Sequence, residues 1–388
     1  MTPSAAAPDP SDNETTNRTP SGSPRARALG IAFDGTPARF NAITDVPGLE
    51  IGYCTLIRGD GPLVVGRGPV RTGVTAILPR GREDARVAVH AGVHVLNGNG
   101  EMTGSILIEE CGHFDGPITI TNTHSCGTAR DASIRWMLER AGGLPDCFIL
   151  PVAAETCDCR LNDMNGFHVR EEHVFQALDS AAPGPIEEGS VGGGTGMICY
   201  GYKGGSGTSS RLVEMNAGTF TIGVFVQANF GRRERLVISG VPVGRHLPAD
   251  PNPLSGDGSI IGILATDAPL LPHQLKRLAR RMALGMSRSG SIGRHSSGDI
   301  FLAFSTANPG SFSEAESLPE LRHIRDTDLN PLFASALQAT DEAILNSLVA
   351  NQRMVGINGY TVEALPHQEV VELLARYRTQ QPAGKRSS

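Results

Sequence analysis

Cysteine is sparse in this chain and follows no pattern. Seven are spread over 388 residues, an odd number without framework spacing. That excludes a disulfide-stapled secreted scaffold and points to reduced thiols in a cytoplasmic protein. Cys157 and Cys159 form a C-x-C rather than the C-x-x-C of zinc or redox sites. His94, His124 and His295 are scattered without ligand spacing, so no metal site is expected. Charge is also low: 19% of residues are charged, with 34 Lys and Arg against 40 Asp and Glu, net −6. Without a basic excess a nucleic acid is not an expected partner. No apolar run approaches the length of a membrane span. The first segment, Met1 to Pro24, is rich in Ser, Thr, Pro, Ala and Asn and has no apolar h-region, so it does not read as a secretory signal. It carries too little apolar surface to offset the entropy of ordering, and residues 1–24 are expected to be a disordered tail, as are residues 380–388. No repeat of solenoid length occurs.

What the chain has instead is Gly (47), Pro (26) and 39% hydrophobic residues, the composition of a loop-rich α/β enzyme. Near-continuous apolar runs at Gly73–Leu78, Arg86–Val93, Cys147–Ala153, Thr219–Val226 and Arg235–Ser239 predict strands covered on both faces. Helical spacing predicts helices at Thr128–Ala141, at Pro272–Arg288, from Asn330 to about Asn351, and at His367–Tyr377. The second places Leu275, Leu278, Ala279, Met282 and Met286 on one face, with Lys276, Arg277, Arg280 and Arg281 on a solvated one. Asn330 followed by Pro331 reads as a cap with proline at the first helical position. The runs Gly192–Gly196 and Gly201–Gly207 match neither a P-loop nor a dinucleotide fingerprint, and read as places of close backbone approach.

The segment with chemical promise is Asp257-Gly258-Ser259-Ile260-Ile261-Gly262. A stretch dense in Pro, Asn, Ser, Gly and Asp, residues 249–258, precedes it and reads as an exposed linker; an apolar strand follows abruptly. A serine hydroxyl at such a junction is placed to attack the carbonyl of the residue before it, giving an ester that water hydrolyses. A preceding glycine puts no side chain near the attacking oxygen and tolerates a strained backbone. Cleavage leaves Ser259 with a free α-amine, whose ordinary pKa of about 7.7–8.0 suits it to accept a proton near neutrality. That amine then activates the hydroxyl of its own residue. Taken by itself, a Gly-Ser step before a strand is equally a plain loop-to-strand junction. A second polar loop, residues 290–298, runs into the apolar strand Asp299–Ser305. Ser297 and Asp299 differ by two, so on an extended strand entry they point the same way and pair a hydroxyl with a carboxylate.

Several separated blocks extend this reading: Asn41-Ala42-Ile43-Thr44-Asp45-Val46-Pro47-Gly48, Asn97-Gly98-Asn99-Gly100-Glu101, Ile120-Thr121-Asn122-Thr123, Pro151-Val152-Ala153-Ala154-Glu155-Thr156, Asn162-Asp163, Gly192-Gly193-Gly194-Thr195-Gly196-Met197 and Val226-Gln227-Ala228-Asn229-Phe230-Gly231. Together with the two serine segments, and in this order, they make the chain resemble the L-aminopeptidase/D-esterase family, the β-peptidyl aminopeptidases, from about Arg27 to Tyr377. The resemblance implies a four-layer α/β/β/α sandwich of N-terminal-nucleophile type, cleaved into a larger part (25–258) and a smaller part (259–379) of one catalytic domain. It implies a homo-oligomer of processed heterodimers, small peptide, amino-acid amide or ester substrates, and neither metal nor cofactor. Residue by residue it implies Ser259 as nucleophile, Ser297 and Asp299 as its support, Asn229 as an amide donor to the oxyanion, and Glu155 as the carboxylate that receives the substrate's ammonium. The family commonly carries a Tyr two residues after that Glu; this chain has Cys157, a weaker and shorter donor. Other readings stand beside this one: a self-processing acyltransferase resembling the ornithine acetyltransferases, an amidase acting on ω-amino-acid oligomers, and an uncleaved binding scaffold.

Overall fold

A computed structural model describes residues 12–140, 142, 148–250, 258–312 and 317–380. Two sheets organise it. One has four strands in the order β1 (Glu50–Arg58), β2 (Val70–Leu78), β5 (Ile118–Asn122) and β6 (Val152–Thr156). The other has six, β4 (His113–Phe114), β3 (Val89–Gly98), β12 (Gly298–Ser305), β11 (Gly258–Thr266), β10 (Gly218–Phe230) and β9 (Gly205–Met215). A small ribbon of β7 (Ile198–Cys199) and β8 (Tyr202–Lys203) lies between β6 and β9 in the chain. The central strands β11 and β12 run parallel and are buried along nearly their whole length, which is why they read as unbroken apolar runs.

Alternation along these strands sorts side chains between two cores. Ile261 and Ile263 of β11, with Ile300 and Leu302 of β12, join Ile77, Ile118, Ile120 and Val152 of the other sheet in one apolar cluster. Ile260 and Leu264 face the opposite way and pack with Leu275, Leu278 and Met282 of helix α5 (Pro272–Arg288) and Ile344 and Leu348 of helix α6 (Asn330–Val349). The far side of the four-stranded sheet, Val74, Ala76 and Leu78, packs with Trp136 and Met137 of helix α3 (Cys126–Arg140) and Leu178 of helix α4 (Glu171–Asp179). The apolar stripe of α5 is buried as its spacing predicts. Its basic face is not merely solvated: Lys276 pairs with Glu109 at 2.6 Å, Arg277 with Asp326 at 3.4 Å, and Arg281 lies over the Phe333 ring.

Several expectations need correction. Arg235–Ser239 forms no strand: residues 233–235 are a 3-10 turn, and a single bridge joins Ile238 to Val241 across Ser239 and Gly240, both at positive φ. Its apolar residues Leu236 and Ile238 are apolar because they fill the core beside α5. The expected strand Cys147–Ala153 is β6, which starts only at Val152, after Pro151, whose missing N–H cannot serve a ladder; Cys147 lies outside the described residues. Asn330 is not a cap. It is the first residue of α6, whose cap position is Leu329, and no side-chain cap bond forms there.

Residues 1–11 and 381–388 lie outside the described residues, as do 251–257 of the expected linker. Residues 12–24, composed like a tail, nevertheless carry helix α1 (Asp12–Asn17), and Ser21 Oγ donates to Glu187. The cause lies just beyond: Arg25 is buried, donates to Glu188 at 2.7 Å and also reaches the carbonyls of Thr15, Phe40, Asn41 and Thr208. The glycine run 192–196 is a close approach. A Cβ on Gly193 would meet Gln227 Oε1 at 2.3 Å, and one on Gly196 would meet Arg71 O at 2.2 Å.

Candidate active site

The C-terminal ends of β3, β5, β6 and β10 and the N-terminal ends of β11 and β12 open at one rim. Between them lies a cleft of about 890 Å³. Ser259, Asn229, Glu155 and Cys157 all line it, with Asn99, Glu101, Thr123, Cys159, Arg160 and Ser296. Four residues singled out from three distant segments therefore share one space.

Ser259 is the second residue of β11 and is nearly buried, at 7% exposure. Its antiparallel partner is Asn229 at the end of β10, and its parallel partner is Gly298 at the start of β12. The Gly298 N–H donates to Ser259 Oγ at 3.2 Å. Gly258, one residue earlier, has φ +71°, and a Cβ there would stand 1.8 Å from Asn229 O. Only glycine satisfies both conditions.

Asn229 is held at both ends of its amide. Its Oδ1 accepts from the Ile198 N–H at 2.8 Å, and its Nδ2 donates to the Cys157 carbonyl at 3.0 Å. One amide N–H is thus used for positioning and one is left for a further acceptor. The turn that supplies Ile198 is braced by Lys203, whose buried Nζ donates to the Met197 and Gly204 carbonyls at 2.9 and 2.6 Å. Burial pulls the Lys203 ammonium down to about 7.

Glu155 comes from the other sheet, at the end of β6, and is 3% exposed. Thr123 Oγ1 donates to its Oε2, and the Glu101 N–H donates to Oε1 at 3.0 Å. Burial raises its pKa above the ordinary carboxylate value, while those two hydrogen bonds pull it back. The carboxylate is therefore oriented and poorly solvated.

Ser297 and Asp299 meet as their spacing predicts: Ser297 Oγ donates to Asp299 Oδ1 at 2.5 Å, and Asn97 Nδ2 donates to Oδ2 at 3.1 Å. They flank Gly298, whose N–H reaches Ser259, but they are not in the cleft wall. Asp299 is buried, and Ser297 faces a separate small cavity with Phe230 and Arg294. Cys157 acts mainly through its backbone, because its carbonyl holds Asn229 while its thiol lies 4.0 Å from Met164 Sδ.

Sequence reasoning assigned no role to Asn97, Glu101, Thr123, Lys203 or Gly298. Asn97, Glu101 and Thr123 stand inside the blocks that carry the resemblance, a signal that they are near the site. Lys203 offered none, being a lone lysine in a glycine-rich stretch. Among the described residues no group of three or more His, Cys, Asp or Glu is placed to hold a metal ion, and no helix is long and apolar enough to cross a membrane.

Comparison with known proteins places this chain among relatives. The family model for peptidase family S58 matches residues 41–362. A beta-peptidyl aminopeptidase from Sphingosinicella microcystinivorans is 51% identical over 370 residues, 92% of this chain and 93% of that protein. A second, from Sphingosinicella xenopeptidilytica, is 45% identical, covering 90% of this chain and 91% of the other. The solved L-aminopeptidase D-Ala-esterase/amidase of Ochrobactrum anthropi, described as a prototype for the serine aminopeptidases and a new variant among the Ntn hydrolase fold, superimposes with a TM-score of 0.85 at 47% identity. That match covers 91% of this chain and 99% of the other.

Proposed function

The chain belongs to peptidase family S58 and is a serine aminopeptidase, and from that premise we propose that Ser259 is its nucleophile, freed by cleavage of its own Gly258–Ser259 bond. The observation that carries this reading is the junction itself: a left-handed glycine that admits no side chain, followed by a nearly buried serine facing Asn229 and Glu155 across one cleft.

The chemistry runs in two stages. In the uncut chain, Ser259 Oγ attacks the Gly258 carbonyl carbon, the C–N bond breaks, and an ester joins the two parts until water hydrolyses it. In the cut protein the α-amine of Ser259 takes the hydroxyl proton as Oγ attacks a substrate carbonyl; the substrate's C–N or C–O bond then breaks, the leaving group departs with that proton, and water hydrolyses the acyl ester on Ser259. Glu155 binds the ammonium of the substrate's first residue, which makes the enzyme an exopeptidase. The remaining N–H of Asn229 meets the oxyanion of the tetrahedral intermediate, a contribution of about 3–4 kcal/mol for one such donor. Ser297, its proton committed to Asp299, offers its lone pairs to the new α-ammonium. Substrates in this reading are small peptides, amino-acid amides and esters. The two sheets and their flanking helices then form the four-layer α/β/β/α sandwich of an N-terminal-nucleophile hydrolase, split into a larger part (25–258) and a smaller part (259–379), and the processed heterodimers assemble into a homo-oligomer.

The test is direct. Purified protein should give two fragments, the smaller beginning Ser-Ile-Ile-Gly, and Ser259→Ala should abolish both processing and hydrolysis of an aminoacyl p-nitroanilide. A different start, or near-full activity in Ser259→Ala, places the nucleophile elsewhere.

A further inference from the structure

Two thiols stand in the wall of the cleft, Cys157 and Cys159, with Arg160 next to them. We propose that Cys159 is a thiol-modification site, taking small-molecule disulfides into a mixed disulfide that closes the cleft.

Four observations support it. Cys159 is exposed, whereas Cys157 is only partly so and Cys54, Cys126 and Cys199 are buried. Cys157 stands two residues away on the same cleft wall, where its thiol interacts with that of Cys159. The Cys157 thiol, aided by the Arg160 charge, brings the Cys159 thiol down to about 7, so that it ionises near neutral pH, while Cys157 is itself pushed up. Burial pushes Cys126 and Cys199 up to about 12, leaving them protonated and unreactive. Lastly, Cys159 is two residues from the carbonyl that holds Asn229, so a group attached to it fills the cleft and disturbs the turn that aims the amide.

The step balances without any other reagent. The Cys159 thiolate attacks one sulfur of R–S–S–R, the S–S bond breaks, and a Cys159 Sγ–S–R bond forms. The second sulfur leaves as RS⁻ and takes up the proton that Cys159 released. The protein thiol is oxidised, and the disulfide is reduced to one RSH. A free thiol reverses the exchange.

This modification does not depend on Ser259 being the nucleophile, so the experiment reads adduct and activity separately. A C111S/C147S background removes the exposed Cys111 and also Cys147. That protein is incubated at pH 7.5 with oxidised glutathione, then measured by intact mass, peptide mapping and hydrolysis of an aminoacyl p-nitroanilide. The expected result is one adduct on the peptide containing Cys159, loss of at least nine-tenths of the activity in step with it, and recovery with dithiothreitol. Adding C159S should remove both adduct and sensitivity, each judged against the same variant untreated. Adding C157S should slow adduct formation severalfold, because Cys159 loses the neighbouring thiol that holds its own down. An adduct elsewhere, a modified enzyme that keeps its activity, or a C159S protein that is inactivated as fast as its parent would each overturn the proposal. If the untreated protein shows no hydrolysis, the peptidase reading fails, while the mass and mapping still decide the site.

Discussion

Gly258→Ala tests the self-cleavage reading at its most constrained point. Gly258 is at φ +71°, a region that costs an alanine about 1–2 kcal/mol. The larger effect is steric. The new Cβ would stand 1.8 Å from Asn229 O, where 3.0 Å is the least that real contacts show, so the β10–β11 pair must open by roughly 1.2 Å at its end. The residue displaced is the one whose carbonyl Ser259 Oγ attacks, and a misplacement of about 1 Å costs on the order of 10²-fold in rate. Together these predict processing slowed by about 10²–10³-fold. The assay is a time course of intact mass and gel pattern on freshly purified protein. The variant should accumulate as an uncut chain while the wild type is cut. Material that does cut should have near-normal activity per processed molecule, because residue 258 leaves as the new carboxyl terminus and the nucleophile is unchanged. Processing of Gly258→Ala at the wild-type rate would refute the argument from geometry.

Four further predictions rest on neighbouring contacts. Asn229→Ala should lower kcat about 10²–10³-fold with a smaller change in KM if its free N–H serves the oxyanion; a loss confined to KM would make it a positioning residue. Glu155 gains a charge-assisted hydrogen bond of roughly 1.5–3 kcal/mol from a substrate ammonium, so N-acetylation should lower kcat/KM at least about tenfold, and Glu155→Gln should narrow the gap; equal rates on alanine p-nitroanilide and its N-acetyl form in the wild type would remove that role. The same carboxylate must be ionised to bind, and burial raises its pKa, so below the limb set by the Ser259 α-amine the pH–rate profile of kcat/KM should show a second acidic limb, above the range of an exposed glutamate and lost in Glu155→Gln. Lys203 has a folded pKa of about 7 against an unfolded value of 10.5, so between these values the unfolded state binds more protons and stability rises with pH. Unfolding free energies from denaturant titrations at pH 7 to 9 should therefore rise more in the wild type than in Lys203→Met, by up to about 1.4 kcal/mol per pH unit, and parallel curves would deny the lysine its titration.

The local patterns of this sequence determine a good deal. The stripe Leu275, Leu278, Ala279, Met282, Met286 specifies α5 because a helix repeats every 3.6 residues and only one face meets the sheet. The abrupt start of Ile260–Ala265 after Gly258-Ser259 marks β11, since a strand buried on both faces needs no polar alternation. The two-residue spacing of Ser297 and Asp299 specifies their contact for the same geometric reason that strands alternate. Helix, strand and turn signals act over a few residues, and there the sequence is sufficient.

Tertiary structure alone decided the rest. Glu155 and Ser259 lie in different sheets, and nothing in either segment says that the ends of β6 and β11 open on one cleft; the packing of Ile77 and Ile120 against Ile261 and Leu302 does. The supports of the site, Thr123 on Glu155 and Asn97 on Asp299, are bonds between segments brought together by those sheets. Residues 12–24 have a tail's composition, yet they carry helix α1 beside a buried Arg25 that pairs with Glu188, 163 residues away. Composition counts apolar surface within a segment and cannot count a buried ion pair formed with a distant segment. Contacts of that kind exist only once the chain has folded, and they are what turn Gly258-Ser259 from a loop-to-strand junction into a candidate nucleophile facing a carboxylate and an amide.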